Sequence, residues 1–532
     1  MIHLLAAAST AAPLQLPRIH YLALWPVLIL LGGAVGILGF SALLRRVPAA
    51  ETTTGLTLVV GLGSLGLSIA QWVDVQRHGA HVTAGGSVVL DGFSALVSIL
   101  VSCAVIVATL VADTFVRREG VRGPEFQVLM LVSASGAVMM GMANDLIVVF
   151  LGLEVLSIAL YVLAAFDARR RESGEAGLKY FILGGFSSAV FVYGIALTYG
   201  ATGTTNLPQI ADYLSKNVLL HDGLLLAGVA LLLVGFCFKI AAVPFHLWTP
   251  DVYQGSPTPV TGFMAAVAKA GGFAAFLRVF ISSFGLERTD WQPVVWAIAA
   301  ITLVLGAVVA LVQRDVKRML AYSSINHAGF VLIGLQAATA RGVEGSLYYL
   351  FAYTFMVLGS FAVITVVGGP GDGAHDLDDY RGLARRAPLL AGAFAVLLVA
   401  QAGVPFTTGF LAKLEVVSAS VGARSTALAA VAMVSAAIAA FFYLRLVLLV
   451  YSGAGDGATA GETVADPGAE PSVVTATGAL ATATAVKAPV VSRLEVPRGA
   501  ATAIALCVGV TVVFGLWPAP LVDFAHQAHL LF

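Results

Sequence analysis

The chain has 532 residues, of which 59% are hydrophobic and only 11% are charged, and its mean hydropathy is +0.93. A soluble domain cannot shield so much apolar surface from water, whereas a lipid bilayer can surround it. The 29 Lys and Arg residues balance the 29 Asp and Glu residues, so no charge excess indicates a nucleic-acid partner. These properties exclude an ordinary soluble enzyme and predict an all-α polytopic membrane protein in contact with the lipid bilayer.

The sequence also lacks the usual signatures of a bound cofactor. Its three cysteines, Cys103, Cys237 and Cys507, lie far apart in apolar runs and form no CxxC pair, which argues against disulfides, zinc sites and iron–sulfur clusters. A P-loop and a dinucleotide-binding fingerprint are absent as well. We therefore expect that this chain binds no cofactor or metal itself and that the energy for any work comes from elsewhere.

Fourteen membrane-spanning helices are predicted along the chain. A spanning helix needs about 20 apolar residues, and suitable runs lie near residues 21–44, 53–72, 90–114, 126–142, 144–166, 176–200, 222–248, 257–281, 291–312, 318–338, 343–368, 388–418, 425–451 and 499–520. Residues 1–17 contain a short apolar stretch like that of a signal peptide, but they carry no Lys or Arg and a full span follows at once. We expect this segment to stay in the mature chain.

The loops between the predicted spans indicate the orientation of the chain. Eighteen Lys and Arg residues lie in the odd-numbered loops, and six lie in the even-numbered loops and the termini. Because cytoplasmic loops carry the excess of positive charge, the odd-numbered loops are predicted to face the cytoplasm and both termini to face outward.

Glu154 lies near the middle of the fifth predicted span, where a charge costs at least about 2.5–3.5 kcal/mol. No basic residue lies within a turn of it on the same helix, so we expect a partner from another helix, and Lys239 in the seventh span is the candidate. A purely structural ion pair is the alternative, but such pairs often add little stability. A buried lysine suits proton transfer because desolvation lowers the pKa of an amine and a nearby carboxylate raises it again.

Two spans are predicted to be discontinuous. The seventh holds Pro244 and Pro250 within KIAAVPFHLWTPDVYQGSPTP, and the twelfth holds Gly403, Pro405 and Gly409 within QAGVPFTTGFLAK. Proline removes a backbone donor and clashes with the preceding helical turn. Paired interrupted helices indicate inverted repeats with an ion path between them, whereas two ordinary kinked helices are the alternative.

Further titratable residues lie on or near these spans. Lys269 in the eighth span is placed to accept a proton from Lys239, and Lys413 follows the second break. His246 lies in the first break and His327 in the middle of the tenth span. Histidine titrates near neutrality, so each is a candidate proton relay. A hydrogen-bonded structural role is the alternative for both histidines.

Three other charges are predicted to lie outside the relay. Arg278 and Arg445 lie near the ends of their spans, so both are expected to snorkel to the membrane surface. Glu415 follows Lys413 by two residues, which is about 200° around a helix. The side chains of Glu415 and Lys413 are therefore predicted to point apart.

Several of these runs resemble the antiporter-like membrane subunits of respiratory complex I, which are similar to the large subunits of multi-subunit cation/proton antiporters. The run FKIAAVPFHLWTPDVYQGSPTPVTGFMAAVAK at 238–269 resembles the N-type branch of that family. The runs QRDVKRMLAYSSINHAGF at 313–330 and GVPFTTGFLAK at 403–413 fit the family as a whole. The resemblance extends from about residue 85 to residue 450.

The resemblance implies a proton-translocating membrane subunit of an NADH:quinone oxidoreductase, in a bacterial cell membrane. Its implied partners are the other membrane subunits of complex I, sister antiporter-like subunits included. Glu154, Lys239, Lys269 and Lys413 are the implied proton relay, with histidines bridging between them through water. FMN, iron–sulfur clusters and quinone would then lie in partner subunits.

The resemblance also implies two inverted five-helix repeats. The chain then divides into an N-terminal three-helix region at 1–115, a first antiporter-like repeat at 116–285 and a second, inverted repeat at 286–452. Residues 453–498 are rich in Ala, Gly, Thr, Val and Pro without an apolar period, so they are predicted to form a flexible cytoplasmic loop. Residues 499–532 form the C-terminal helix in this division.

Three other functions stay open at the level of sequence. A stand-alone cation/proton antiporter subunit would use the same Glu and Lys pattern to exchange sodium, although the run WTPDVY at 248–253 argues against it. The second is a membrane subunit of a hydrogenase-type complex. The third is a non-catalytic membrane scaffold, against which the buried charges argue.

Overall fold

The computed structural model describes residues 19–44, 48–217, 223–453 and 494–530. Within those residues the chain forms twenty α-helices and one two-stranded sheet. The helices are α1 Tyr21–Leu43, α2 Ala50–His78, α3 Gly92–Arg118, α4 Glu125–Met142, α5 Leu146–Ala164, α6 Arg171–Thr202, α7 Leu207–Lys216, α8 Gly223–Ile240, α9 Trp248–Gly255, α10 Thr258–Phe263, α11 Lys269–Ser282, α12 Arg288–Leu311, α13 Val316–Ala337, α14 Ala340–Val367, α15 Leu383–Arg386, α16 Pro388–Ala402, α17 Thr408–Gly422, α18 Thr426–Tyr451, α19 Arg498–Leu516 and α20 Ala519–His526. Strands β1 His81–Thr83 and β2 Val88–Leu90 form an antiparallel hairpin between α2 and α3.

The predicted class is confirmed, because twelve helices of the described residues are long and apolar enough to cross a membrane. They are α1 to α6, α8, α12, α14, α18, α19 and the continuous helix Thr258–Ser282, which joins α10 to α11. The two remaining predicted spans correspond to α13 and to the pair α16 and α17. The chain is therefore a multi-pass membrane protein, while the number fourteen and the inverted repeats stay predictions.

Both predicted interruptions are present. Helix α8 ends at Ile240, irregular chain follows through the Val243-Pro244 bond, and α9 begins at Trp248. Helix α16 ends at Ala402, and Gly403 follows with φ +91°. This left-handed value is one that glycine adopts without a steric cost. Proline accounts for the first break and the Gly-Val-Pro run for the second.

A third irregularity lies in the continuous helix Thr258–Ser282. Its residues Met264–Ala268 form a π-helical turn, and Lys269 follows directly. Turns of this kind interrupt the regular hydrogen-bond ladder and occur frequently at functional sites. This turn was not predicted from the sequence.

The interior of the helix bundle is formed by α14 and the continuous helix Thr258–Ser282. The most apolar segment of each is 94% buried, compared with 28% for α1 and 33% for α6. Helix α6 turns large apolar side chains such as Phe181 and Phe186 outward, as a surface in contact with lipid or other membrane proteins does. Lys269 lies on one of the two central helices, so it is placed at the centre of the protein rather than at its surface.

Some predictions fall outside the described residues. The signal-peptide question at residues 1–17 is one of them. The predicted loop at 453–498 is another, apart from Gly453 and residues 494–498, the last of which begins α19.

Candidate functional site

Glu154 and Lys239 each contact a serine instead of each other. Glu154 lies half-buried on α5 and accepts a hydrogen bond from the hydroxyl of Ser188 on α6. The amine of Lys239, at the end of α8, donates to the hydroxyl of Ser157 at 2.7 Å. Ser157 lies three residues after Glu154 and therefore on the same face of α5. The expected direct pair is absent from the ion pairs of the described residues, and each side chain is hydrogen-bonded to a serine instead.

A small cavity adjoins Lys239 and the two serines. Ser157, Ser188 and Lys239 line it, together with apolar groups of α5, α6 and α8. Its volume is about 10 Å³, which is close to the minimum of about 10–15 Å³ that one water molecule requires. Glu154 itself lines a more open groove between α5 and α6 on the other side of Ser188.

Lys269 is held at the centre of the protein by α13 and α14. Its amine donates to the backbone carbonyl of Ser324 and, at 2.6 Å, to the hydroxyl of the same residue. The hydroxyl of Tyr353 also donates to the Ser324 hydroxyl at 2.8 Å, and the Tyr353 ring centroid lies 5.4 Å from the amine. The lysine therefore has neutral hydrogen-bonding partners and an aromatic face.

His327 connects two tyrosines one turn further along α13. Its Nδ1 lies 2.6 Å from the hydroxyl of Tyr349 on α14, and its Nε2 lies 3.0 Å from the hydroxyl of Tyr443 on α18. The Tyr443 hydroxyl also contacts the hydroxyl of Ser323. All four groups are buried, so the histidine belongs to a continuous polar cluster inside apolar helices.

Lys413 binds the end of the interrupted helix. Its amine donates to the carbonyl oxygens of Gln401 at 3.0 Å and Ala402 at 2.7 Å. These carbonyls belong to the last turn of α16, where the helix leaves acceptors unpaired and the dipole favours a cation. The amine also lies 5.0 Å from the ring centroid of Phe330 on α13. The break at Gly403 therefore creates the site that holds this lysine.

Glu415 is not a partner of Lys413 in this arrangement. No ion pair joins the two among the described residues, and the Lys413 amine faces α16. The Glu415 backbone packs against α14, since a Cβ on Gly345 would lie 3.3 Å from the Glu415 carbonyl carbon. This placement agrees with the prediction that the two side chains point apart.

His246 lies in the break between α8 and α9, away from the contacts described above. The residue is buried, and its Nδ1 has no hydrogen-bond partner among the described residues. No hydrogen bond between described residues joins it to Lys239 or Lys269, so its relay role stays a prediction.

Arg278 departs from expectation. It was predicted to reach the membrane surface, but it is only 1% exposed. Its two terminal nitrogens donate to the carboxylate of Asp91 at 2.9 and 2.8 Å, and its Nε donates to the Gly141 carbonyl at 3.0 Å. The prediction was wrong because Asp91, which caps the N-terminus of α3, lies 187 residues away in sequence. Arg445 is half-buried and donates to the Leu311 carbonyl at 3.1 Å, at the end of α12.

Several neutral groups beside the titratable residues were not predicted from the sequence. They are serines and tyrosines inside apolar helices: Ser157, Ser188, Tyr349 and Tyr443. A weak signal existed for one of them, because Ser157 follows Glu154 by one turn on the same face of a helix. Single serines and tyrosines in an apolar run otherwise look like ordinary buried residues.

Buried lysines with neutral partners, beside interrupted helices of a multi-pass chain, are typical of membrane subunits that conduct ions. The sequence model of the NADH:quinone oxidoreductase/Mrp antiporter transmembrane family matches residues 143–439. The chain belongs to this family. Among the described residues, no group of three or more His, Cys, Asp and Glu side chains is placed to hold a metal ion.

Relatives and solved structures agree with this assignment. NADH-quinone oxidoreductase subunit N of Trichlorobacter lovleyi is 41% identical over 84% of this chain and 91% of its own length. The subunit of the same name from Acidothermus cellulolyticus is 39% identical over 98% of both chains. Respiratory complex I from Thermus thermophilus contains a chain with a TM-score of 0.73 and 30% identity, which covers 94% of this chain and 98% of that one. A chain of the Mrp complex from Dietzia has a TM-score of 0.79 at 22% identity over 95% and 96% of the two chains, a likeness that concerns the fold alone.

Proposed function

We propose that this chain is a proton-translocating membrane subunit of NADH:quinone oxidoreductase, of the subunit N type. Its relatives carry that name over most of both chains. The observation that carries the proposal is the state of three buried amines, those of Lys239, Lys269 and Lys413. Each amine donates to hydroxyl or carbonyl oxygens, and among the described residues none of the three forms an ion pair. A buried amine without a fixed counter-charge can release and regain a proton at moderate cost.

The proposed relay begins at Glu154. Its carboxyl group takes up a proton beside Ser188, and the amine of Lys239 donates to the Ser157 hydroxyl on the same face of α5. A hydroxyl both donates and accepts, so each serine can pass a proton without changing its own charge. Water bridges the small cavity between these groups in this proposal.

The relay continues through the centre of the protein. Lys269 passes its proton to the hydroxyl of Ser324, and His327 between Tyr349 and Tyr443 provides the next titratable group. Lys413 at the second break is the last member. His246 contributes at the first break only when water joins it to its neighbours, since its Nδ1 has no partner among the described residues.

Energy and redox chemistry come from partner subunits in this proposal. Electron transfer from NADH through FMN and iron–sulfur clusters to quinone takes place there and drives the movement of protons. The other membrane subunits of the complex, including sister antiporter-like subunits, are the proposed neighbours. Glu154 faces an open groove between α5 and α6, which suits coupling to such a neighbour.

The finer localisation follows from the loop charges. We propose a bacterial cell membrane with both termini facing outward and the basic loops in the cytoplasm. The same proposal divides the chain after residues 115, 285, 452 and 498, so that residues 116–285 and 286–452 form the two inverted repeats.

A double substitution tests the relay. In the purified complex in liposomes, Glu154→Gln and Lys239→Met each should lower NADH-driven proton pumping roughly tenfold or more. The double variant should lose little more than either single variant, because both act in one transfer path. Lys216→Met is the matched control, since Lys216 is an exposed lysine that pairs with Asp212.

Pumping that survives Lys239→Met undiminished would contradict the relay as stated. Fully additive losses would indicate two independent sites. Sodium transport by the same complex, abolished by the same substitutions, would favour the cation antiporter instead.

A further inference from the structure

The segment that follows α14 reaches into the protein. We name residues 368–377 the clamp loop. Asp372 lies within this loop with a fully buried side chain, and its φ of +49° is a left-handed value that non-glycine residues rarely adopt. A buried carboxylate is tolerated only with several hydrogen-bonding or charged partners. The partners of Asp372 come from four different elements outside its own loop.

The carboxylate of Asp372 caps the continuous helix Thr258–Ser282. Its Oδ2 accepts the backbone N–H of Thr258 at 2.9 Å, and its two oxygens accept the Thr258 hydroxyl at 2.8 and 2.9 Å. Backbone N–H groups in the first turn of a helix have no partner within it, and the helix dipole favours a negative charge there. Asp372 therefore fixes the N-terminal end of this helix.

The same carboxylate faces three cations. It lies 3.3 Å from Arg170, which precedes α6, 3.7 Å from Lys317 on α13 and 3.9 Å from Arg118, which ends α3. His375, within the clamp loop, lies 3.6 Å away. These cations come from three other elements, so the carboxylate is held from several sides.

Lys317 connects α13 to the start of the continuous helix Thr258–Ser282. Its side chain is fully buried, and its amine donates to the carbonyl of Ser256 at 2.6 Å, two residues before Thr258. The N–H of Val316 donates to the His375 carbonyl at 2.8 Å. The clamp loop thus joins the N-terminal ends of two helices through side chains and backbone.

These two helices are the ones that bring Lys269 to Ser324. Lys269 lies eleven residues after Thr258, and Ser324 lies seven residues after Lys317. At 1.5 Å per residue these separations are about 16 and about 10 Å along the helix axes. A displacement of either N-terminal end therefore changes the 2.6 Å contact between the Lys269 amine and the Ser324 hydroxyl, because packed helices shift as rigid elements.

We propose that Asp372 is a positioning residue of the proton relay: it clamps the N-terminal ends of the continuous helix Thr258–Ser282 and of α13, and so holds Lys269 against Ser324. Asp372 carries no relay proton itself and touches neither Lys269 nor Ser324. The proposal rests on the proposed function, because it assigns the clamp loop a part in that relay.

The test compares Asp372→Asn with Asp378→Asn in the assembled complex. Asp378 is the matched control, since it lies just beyond the clamp loop, its side chain is exposed and it pairs with Arg381. Proton pumping per NADH oxidised should fall by between about twofold and about thirtyfold in Asp372→Asn, which corresponds to a coupling of 0.5–2 kcal/mol. It should be unchanged in Asp378→Asn, and Asp372→Glu, which keeps the charge, should recover part of the loss.

The decisive measurement adds Lys269→Met. If Asp372 acts through Lys269, Asp372→Asn should cause no further loss of pumping in the Lys269→Met background. A merely structural role would instead lower the amount of assembled complex and would give additive losses, which would overturn the proposal. Normal pumping in Asp372→Asn would overturn it as well.

A second variant covers the case in which Asp372→Asn does not assemble. Thr258→Val removes the hydroxyl contacts to Asp372 but leaves every charge in place, and it should lower pumping in the same Lys269-dependent way. Normal pumping in an assembled Thr258→Val complex would overturn the proposal. The outcomes also separate the clamp from the relay. Undiminished pumping in the Lys269→Met variant would contradict the proposed function. Loss of pumping in Lys269→Met together with normal pumping in Asp372→Asn would contradict only the clamp.

Discussion

Two groups of buried cations in this protein differ in their partners. The first group, the relay lysines, consists of Lys239, Lys269 and Lys413, whose amines donate to serine hydroxyls and backbone carbonyls. The second group, the paired cations, consists of Arg278 and Lys317, which face the carboxylates of Asp91 and Asp372. Members of both groups are less than one-tenth exposed, so burial does not distinguish them.

The difference in partners separates two uses of a buried charge. A cation fixed against a carboxylate keeps its proton, and removal of either member leaves an uncompensated charge in the protein. An amine among neutral oxygens can change its protonation state without leaving a bare carboxylate behind. We therefore expect the paired cations to hold helices in place, Arg278 for folding and Lys317 at the clamp loop, and the relay lysines to move protons.

The largest effect is expected at Arg278. Arg278→Met should destabilise the subunit by about 3–5 kcal/mol, because the buried Asp91 carboxylate loses the Arg278 guanidinium that binds both its oxygens. The measurement is the amount of assembled subunit in the membrane and its thermal unfolding in detergent. Arg288→Met is the control, since Arg288 is an exposed arginine that begins α12.

Normal assembly and stability of the Arg278→Met subunit would contradict the distinction between the two groups of cations. It would mean that the Asp91 carboxylate finds other partners at little cost, and that pairing does not distinguish the two groups.

A smaller effect is expected at the clamp loop when the pH falls. Burial and the positive charge of Lys317 lower the pKa of His375 to about 4, from its usual value of 6.5. The pKa of His375 is lower in the folded protein than in the unfolded chain. The stability that depends on neutral His375 is therefore complete above about pH 6.5 and is lost as the pH falls towards about 4. The pKa of the Asp372 carboxyl is lowered despite its burial, because Lys317 and His375 face it. Protonation of Asp372 therefore reduces stability only below the usual pKa of 3.8.

Hydrogen exchange of residues 368–377 measures this effect. Protection, corrected for the intrinsic pH dependence of exchange, should decrease between about pH 7 and about pH 5. The decrease should be absent in His375→Gln, which cannot take up a proton. An equal decrease in that variant would assign the acid sensitivity to other groups.

The sequence predicts the relay lysines and the interruptions better than it predicts their surroundings. A Lys or a Pro in an apolar run is conspicuous on its own, so Lys239, Lys269, Pro244 and the second break are visible without a structure. Partners of buried groups depend on contacts between distant segments, as Asp91 and Arg278 illustrate. The π-helical turn before Lys269 has no distinctive composition either, because its sequence MAAVA suits an ordinary helix.

The same limit applies to the clamp loop. Lys317 is one of the eighteen basic residues assigned from the sequence to the odd-numbered loops, together with Arg314 and Arg318. Only the fold reveals that its amine is buried between Ser256 and Asp372. The charges of the loops therefore predict the orientation of the chain, but they do not predict which charged residues are buried.

The relay lysines are proposed to work by exchanging protons and not by their charge alone. Lys239→Arg tests this most directly, because arginine keeps the positive charge but does not release its proton at any physiological pH. Lys239 borders a small cavity, which leaves some space for the larger side chain. In an assembled complex that oxidises NADH, we predict that Lys239→Arg loses NADH-driven proton pumping as severely as Lys239→Met. Normal pumping in Lys239→Arg would contradict the account, because a fixed charge would then be sufficient.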